Sequence, residues 1–530
     1  MKIYLRILLV SLLAMGCGSS KTENPTPDAP VVETKPKVED VTTYANTITS
    51  AELKEMLYTY ASDEFEGRET GEAGQKKAIE YLKNHYKEMG IVSPLGGDDY
   101  FQEVPLEKLL TPKITLNVQG KEFTTLEDIV SLGGAHSELI TTDQFVYAGY
   151  GIDDEKYNDY DKIDVNGKVV VVKYGEPKNQ DGTYKTSGSK EATKWSVGRA
   201  GRTSKKNAAF DNGAKAFVMV TEPELHQQSV NYYKNVAAQG DAGNISLIED
   251  EANQIQLSIS EKVAKALYPE IMKSDTPKLI ERLLSIDYFS ESISVSSENV
   301  VAYIKGTEKP DEVLVISAHL DHEGVKDGQI YNGADDDGSG TVSILEIADA
   351  FQQAVKDGNG PKRSILFLHV TGEEKGLLGS KYYASTSPIF PIANTVADLN
   401  IDMIGRVDPQ HESDPNYVYL IGSDKLSTEL HNISEEVNTK YINMNLDYTY
   451  NDDNDPNRFY YRSDHYNFAK QNVPIIFYFN GTHADYHRPS DTPDKIEYDL
   501  MEKRAKLVFY TAWEIANRTN RIVADKAMSK

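Results

Sequence analysis

Cysteine is all but missing. The 530-residue chain has one, Cys17, so it can form no internal disulfide. Positive charge is also short, with 56 Lys and Arg against 82 Asp and Glu, a net charge of −26 and a pI near 4.9. That balance excludes the basic surface of a general nucleic-acid binder. It describes a well-solvated exterior and names no partner. Beyond the first fifteen residues no apolar run is long enough to cross a membrane. What remains is the composition of a globular protein, at a length that exceeds one compact core and implies two or more domains.

The first seventeen residues, MKIYLRILLVSLLAMGC, follow a different logic. Lys2 and Arg6 make a positive start, Ile7 to Met15 a short apolar run, and Gly16 a small residue before Cys17. This is a secretion signal, too short for a membrane span. With the cysteine directly after the apolar run it resembles a bacterial lipoprotein signal, although Ala14 stands where such signals more often carry Leu. The resemblance implies export, cleavage before Cys17 and lipid anchoring at Cys17 to a bacterial membrane, on its periplasmic or cell-surface side. The alternative is an ordinary signal peptide with an incidental cysteine. Residues 18–47, rich in Pro, Thr, Lys and Glu and without periodicity, read as a disordered tether.

Order is expected from about Ile48. SAELKEMLYTYASDEF and GEAGQKKAIEYLKNHYKEMGI have helical periodicity, Gly90 is a natural stop for the second, and the glycine-bearing loop FEGRETGEAG lies between them. Residues 111–290 read as an inserted β-rich, non-catalytic module with one evident helix at Thr203–Asn212. From Asn299 onward, apolar runs such as EVLVISAHL, RSILFLHVT, VADLNIDMIG and VPIIFYF alternate with amphipathic helical stretches. That alternation predicts an α/β sandwich around a mostly parallel sheet, with ligands gathered at the carboxyl ends of its strands.

Polar residues cluster at those ends: His319, Asp321 and His322; Asp335, Asp336 and Asp337; Glu373 and Glu374; Asp402; and His483, Asp485 and His487. Taken singly, each has an ordinary reading. DDDGSG could cap a helix as a solvated turn, and the glutamates could favour a helix N-terminus. Gathered at one sheet edge they would be a costly accumulation of like charge, which a bound cation resolves. Imidazole and carboxylate without thiol suit zinc, with cobalt or manganese as substitutes, and more than four ligands allow a pair of metals sharing a carboxylate. Neighbouring side chains in an extended segment diverge, so Glu373 and Glu374 can serve different purposes, one as ligand and one as base.

SAHLDH, NGADDDGSG, TGEEKGLLGS, NIDMIG and DYHRPSDT occur in the order found in the dinuclear-zinc exopeptidases that include bacterial leucyl aminopeptidase, aminopeptidase Y and glutamate carboxypeptidase II. The chain resembles this family over essentially its whole length after the tether. FVYAGYGI, NGKVVVV and NGAKAFVMV resemble the protease-associated domain that several members carry as an insert. The resemblance implies a three-layer sandwich peptidase domain from residues 48–110 and 291–522, and two zinc ions per chain. His319 and Asp402 would bind one, Glu374 and His487 the other, and Asp336 would bridge them. Glu373 would be the general base toward the zinc-bound water, and Asp321 would orient the His319 imidazole.

Weaker assignments surround this set. His465 and Tyr486 could line the substrate pocket or steady the oxyanion, with packing roles equally open. His322, His369 and His483 read as structural, and Asn451–Phe459 as a solvated loop. The function expected is removal of N-terminal residues from peptides. One alternative is a carboxypeptidase or dipeptidase of the glutamate carboxypeptidase type, which needs a cation in the pocket from among Arg406, Arg458 and Arg462. Glutaminyl cyclase, a one-zinc relative, is disfavoured by the insert. The non-enzymatic alternative is a surface lipoprotein that presents the inserted module for binding.

Overall fold

The computed structural model describes residues 40–196, 198–238, 245–248 and 254–526. Cys17 and the signal and tether that precede residue 40 lie outside the described residues. The described residues form one compact unit, built on two large sheets.

Nine strands make the larger sheet. Their spatial order is Ile245–Leu247, Phe101–Leu109, Ser292–Ile304, Arg363–Val370, Lys309–His319, Thr395–Ile401, Ile475–Phe479, Tyr417–Ile421 and Asn445–Asp447. The four strands from Arg363–Val370 to Ile475–Phe479 are parallel neighbours. On either side the pairing turns antiparallel, and only the last pair, at Asn445–Asp447, is parallel again. The sheet is therefore mixed rather than mostly parallel. The expectation failed because FQEVPLEKL and the start of the strand Ser292–Ile304 lack the continuous apolar runs of doubly covered strands, yet extend the same sheet.

The parallel core is apolar because both its faces are covered. Leu314, Ile316 and Ala318 pack on one side against the helices Ser50–Tyr60, Gly340–Lys356 and Tyr498–Asn517. Val313 and Val315 face the short helical segments around Tyr383 and Phe468 on the other. Fully burying each of the Val, Leu and Ile side chains stabilises the fold by roughly 1.5–3 kcal/mol. Gly90, in the left-handed region at φ 78°, ends the helix Ala73–Met89 as its sequence indicates. The chain is already helical at Val41–Ala45, where Tyr44 is buried and stacks on Trp513 at 5.5 Å. Residues 40–47 therefore belong to the folded body and not to the tether.

The second sheet has eight strands, all drawn from residues 113–289. Alternate residues of Val169–Lys173 and Ala216–Val220 enter separate apolar clusters on its two faces. Three helices accompany it: Gly198–Asp211, Pro223–Ala238 and Glu261–Leu267. The first is the predicted one, longer at its start. The second begins with Pro at a first-turn position and was hidden by the weak periodicity of PELHQQSVNYYKNVAA. The strand Lys278–Phe289 leaves this sheet and the next, Ser292–Ile304, enters the larger one.

Candidate metal centre

The carboxyl ends of the four parallel strands share one edge, where open α/β sheets bind ligands. His319 closes the strand Lys309–His319, Glu373 and Glu374 follow Arg363–Val370, Asp402 follows Thr395–Ile401, and His487 lies beyond Ile475–Phe479.

Asp336 is at the centre of what they bring together. His319 Nε2 lies 3.1 Å from Asp336 Oδ1 and 3.6 Å from Asp402 Oδ1. On the other side, His487 Nε2 is 3.1 Å from Asp336 Oδ2 and 3.3 Å from Glu374 Oε2. All five residues assigned as ligands from the sequence therefore converge, with Asp336 facing both groups. Three sets of ligand atoms lie within 4.8 Å of one another: His319, Asp337 and Asp402; His322, Asp336 and Glu374; and Glu323, Glu374 and His487.

Several of these atoms are buried without a hydrogen bond: His319 Nε2, His322 Nδ1, Asp336 Oδ2 and Glu374 Oε1. An orphaned buried polar atom costs roughly 1–3 kcal/mol, so four of them aimed at common points fit cations as their missing partner. The electrostatics agree. Burial favours a neutral His319 imidazole, but Asp402 and Asp336 outweigh it and hold its pKa well above the usual value. Burial is likewise outweighed at His487, where Asp336 and Glu374 raise the pKa to about 10. Without a cation, protons would have to balance the carboxylates.

The loops around these atoms are held by carboxylates that sequence reasoning did not assign. Of the three consecutive aspartates, the middle one faces the centre and its neighbours brace it. Asp337 accepts hydrogen bonds from the backbone N–H of His319 at 3.2 Å, Gly340 at 2.9 Å and Met403 at 3.1 Å. Asp335 accepts from Gly405 N–H at 2.7 Å, and its other oxygen lies 3.1 Å from His483 Nε2. Asp491 accepts from the N–H groups of Asp335 and Asp336 at 2.9 and 3.2 Å. Arg68, fully buried in the glycine-bearing loop, donates to the carbonyls of Leu320, Tyr60, Asn332 and Gly333. The signals were present in FEGRET and RPSDT, but nothing in one sequence says that such polar residues are buried.

Asp321 acts differently from its expected part. The His319 ring is held by the backbone carbonyl of Asp321, 3.0 Å from Nδ1, while the carboxylate stands 4.0 Å away. That carboxylate instead accepts from Glu373 N–H at 3.1 Å and from the Thr70 hydroxyl at 2.7 Å, fixing the glutamate loop. Burial, with Glu374 and Asp464 nearby, pushes the Glu373 carboxyl well above its ordinary range against the pull of His319. At Glu374 burial and Asp336 act upward, but His322 and His487 prevail and leave it at about 2. The two adjacent glutamates therefore differ in proton affinity, as two different tasks require.

A cleft opens onto the centre, lined by Glu373, Asp402, Met403, Phe459, Arg462, Phe477, Phe479, Thr482 and Tyr486. Tyr486 stacks on His487 at 4.0 Å and receives a hydrogen bond from Arg462 at 3.3 Å. His465 does not reach this cleft: it is buried beneath, stacked on Phe477, with Nε2 2.8 Å from Tyr460 O. His369 pairs with the Tyr86 hydroxyl at 2.7 Å. Arg406 is occupied by Asp485, and Arg458 lies over the Tyr461 ring.

Imidazoles and carboxylates at the ends of parallel strands, with an acid facing an open cleft, are an arrangement suited to metal-dependent hydrolysis. Residues 299–512 match the model of peptidase family M28. It is 30% identical over 267 residues to a probable zinc metalloprotease of Pyricularia oryzae, spanning 43% of this chain and 51% of the relative. It is 31% identical over 226 residues to a probable leucine aminopeptidase of Trichophyton verrucosum, 40% of this chain and 56% of that one. The chain thus spans about half the length of these curated relatives. Among solved structures, an aminopeptidase from Aneurinibacillus sp. strain AM-1 superposes with a TM-score of 0.51 at 17% identity, covering 91% of this chain and 98% of the other, a likeness of fold.

Proposed function

We propose that the protein is an exported aminopeptidase that removes N-terminal residues from peptides with the help of two zinc ions. The observation that carries this reading is the convergence of His319, Asp336, Glu374, Asp402 and His487 through buried atoms that lack hydrogen-bond partners. His319 and Asp402 would hold one zinc, Glu374 and His487 the other, and Asp336 both. Such a pair supplies a Lewis acid that lowers the pKa of water and polarises the scissile carbonyl.

The remaining work belongs to side chains of this protein. Glu373, high in proton affinity and facing the cleft, takes the proton of the attacking water and delivers it to the leaving amine. Asp321 holds the Glu373 backbone and Thr70 together, so the base is aimed before substrate arrives. The Tyr486 hydroxyl, backed by Arg462 in the wall of the cleft, would donate a hydrogen bond to the developing oxyanion. Phe459, Phe477, Phe479 and Met403 wall the cleft with apolar surface that excludes water. The free α-amine of the substrate would be met by the acidic edge of the centre.

The test is Glu373→Gln. Hydrolysis of leucine-terminated peptides should fall by at least ~100-fold, the range of a lost general base, with zinc content unchanged. Unchanged turnover would refute the reading and favour a binding protein. Arg462 supports a second reading, a carboxypeptidase or dipeptidase, because it is the member of the three arginine candidates that lines the cleft. Preference for N-acetylated acidic dipeptides over free-amine peptides would decide for it.

The second sheet is proposed to be the protease-associated module, inserted at residues 111–290 of the peptidase domain. Anchoring through Cys17 is proposed from the signal sequence; incorporation of labelled palmitate, lost in Cys17→Ser, tests it. No helix among the described residues is long and apolar enough to cross a membrane.

A further inference from the structure

We propose that His322 is an additional nitrogen ligand of the second metal position, beside Asp336, Glu374 and His487. The proposal rests on the dinuclear reading above and deepens it.

His322 stands out among the buried histidines. His226, His319, His369, His411, His465 and His483 each make at least one side-chain hydrogen bond. His322 makes none: it is fully buried, and both ring nitrogens lack a partner. Burying an imidazole in this way costs roughly 1–3 kcal/mol per unsatisfied group unless something else meets it. Its Nδ1 nevertheless lies 2.9 Å from Glu374 Oε1 and 3.8 Å from Asp336 Oδ2, without the alignment of a hydrogen bond. Close approach without alignment is the arrangement of ligand atoms that share a cation.

The ring has no other place to go. Its backbone N–H is bound to Arg68 O at 3.3 Å. One ring face is pressed on Gly333, where a Cβ would come 2.5 Å from His322 Cγ and Cδ2 and where the backbone φ is 57°. The His487 ring stands edge-on to His322 at 5.8 Å. The two imidazoles therefore reach Asp336 and Glu374 from different directions: His487 Nε2 approaches Asp336 Oδ2 and Glu374 Oε2, and His322 Nδ1 approaches Glu374 Oε1.

The donor count has a consequence for metal binding. With His322 the second position would be offered two imidazoles and two carboxylates, the donor number of a tetrahedral zinc site. Around the first stand His319, Asp402 and the shared Asp336, with Asp337 also near His319 and Asp402. The second position is thus the one whose metal His322 would help to anchor.

The full-length protein, stripped of metal and reloaded with two equivalents of cobalt(II), allows the ligands to be counted directly. Each coordinated imidazole keeps one N–H, seen in proton NMR as a far-shifted, solvent-exchangeable resonance. Three are expected, from His319, His322 and His487, and His322→Gln should remove one. In a chelator competition the same variant should release one of its zinc ions at least ~10-fold more readily, the scale of lost metal-site partners. Two resonances in the unmodified protein, which needs no variant to fold, would overturn the proposal and leave the dinuclear centre standing. Failure to bind cobalt or zinc stoichiometrically would overturn both.

Discussion

Replacing Arg68 by Met keeps most of its apolar stem and removes one guanidinium that ties four backbone carbonyls together. Those carbonyls belong to Leu320, between His319 and Asp321, to Asn332 and Gly333, just ahead of Asp336, and to Tyr60 at the end of a core helix. Hydrogen bonds to a charged donor contribute about 1.5–3 kcal/mol each. Four would exceed the stability of many domains if they added. They do not add, because one side chain makes all four and its removal also relieves the cost of burying a charge. The expected loss is about 3–5 kcal/mol, from three or four orphaned carbonyls less that relief. Urea denaturation of the zinc-loaded protein measures it, and zinc affinity measured alongside should fall because two ligand-bearing loops lose their common brace. A loss under about 1 kcal/mol with unchanged zinc affinity would refute the reasoning, since it would mean that the guanidinium network contributes little to holding the centre together.

Other outcomes follow from the same structure. Because His319 and His487 are held protonated by their carboxylate neighbours, zinc binding to the metal-free protein at pH 7 should release protons; calorimetry in two buffers of different ionisation enthalpy would show it. Glu346, buried and close to Glu52, has its pKa raised to about 8. The folded state then binds the extra proton between the ordinary glutamate pKa and about 8, so its contribution to stability falls as pH rises through that window. Glu346→Gln should accordingly stabilise the protein by about 2 kcal/mol at pH 8.5 and by little at pH 4, measured by thermal denaturation. Asp321→Ala should lower kcat with zinc retained, since its carboxylate fixes the Glu373 loop and its backbone carbonyl, which holds His319, survives the change.

Sequence legibility tracked the physical strength of each signal. The strands around Ile316, Phe367 and Leu399 were readable because strands covered on both faces must be continuously apolar. The clustering of His319, Asp336, Glu374, Asp402 and His487 was readable because five charged motifs ended those strands. Phe101–Leu109 was not, since its alternating burial and its Pro105 resemble an edge or a loop. The full burial of His322 and Arg68 was unmarked for one reason. Burial of a polar side chain is a property of the assembled fold, and a lone His or Arg in a loop carries no mark of it. Asp321 shows the finer limit: its position beside His319 was legible, but which of its oxygens touches the imidazole depended on the turn that follows.

The most direct test is diffraction from crystals of the purified protein at energies on either side of the zinc absorption edge. Two anomalous peaks are expected, one between His319, Asp402 and Asp336 and one between Glu374, His487 and Asp336. Ordered side chains at these positions in catalytically active protein with no anomalous signal between them would contradict the claim that these residues form a dinuclear zinc centre.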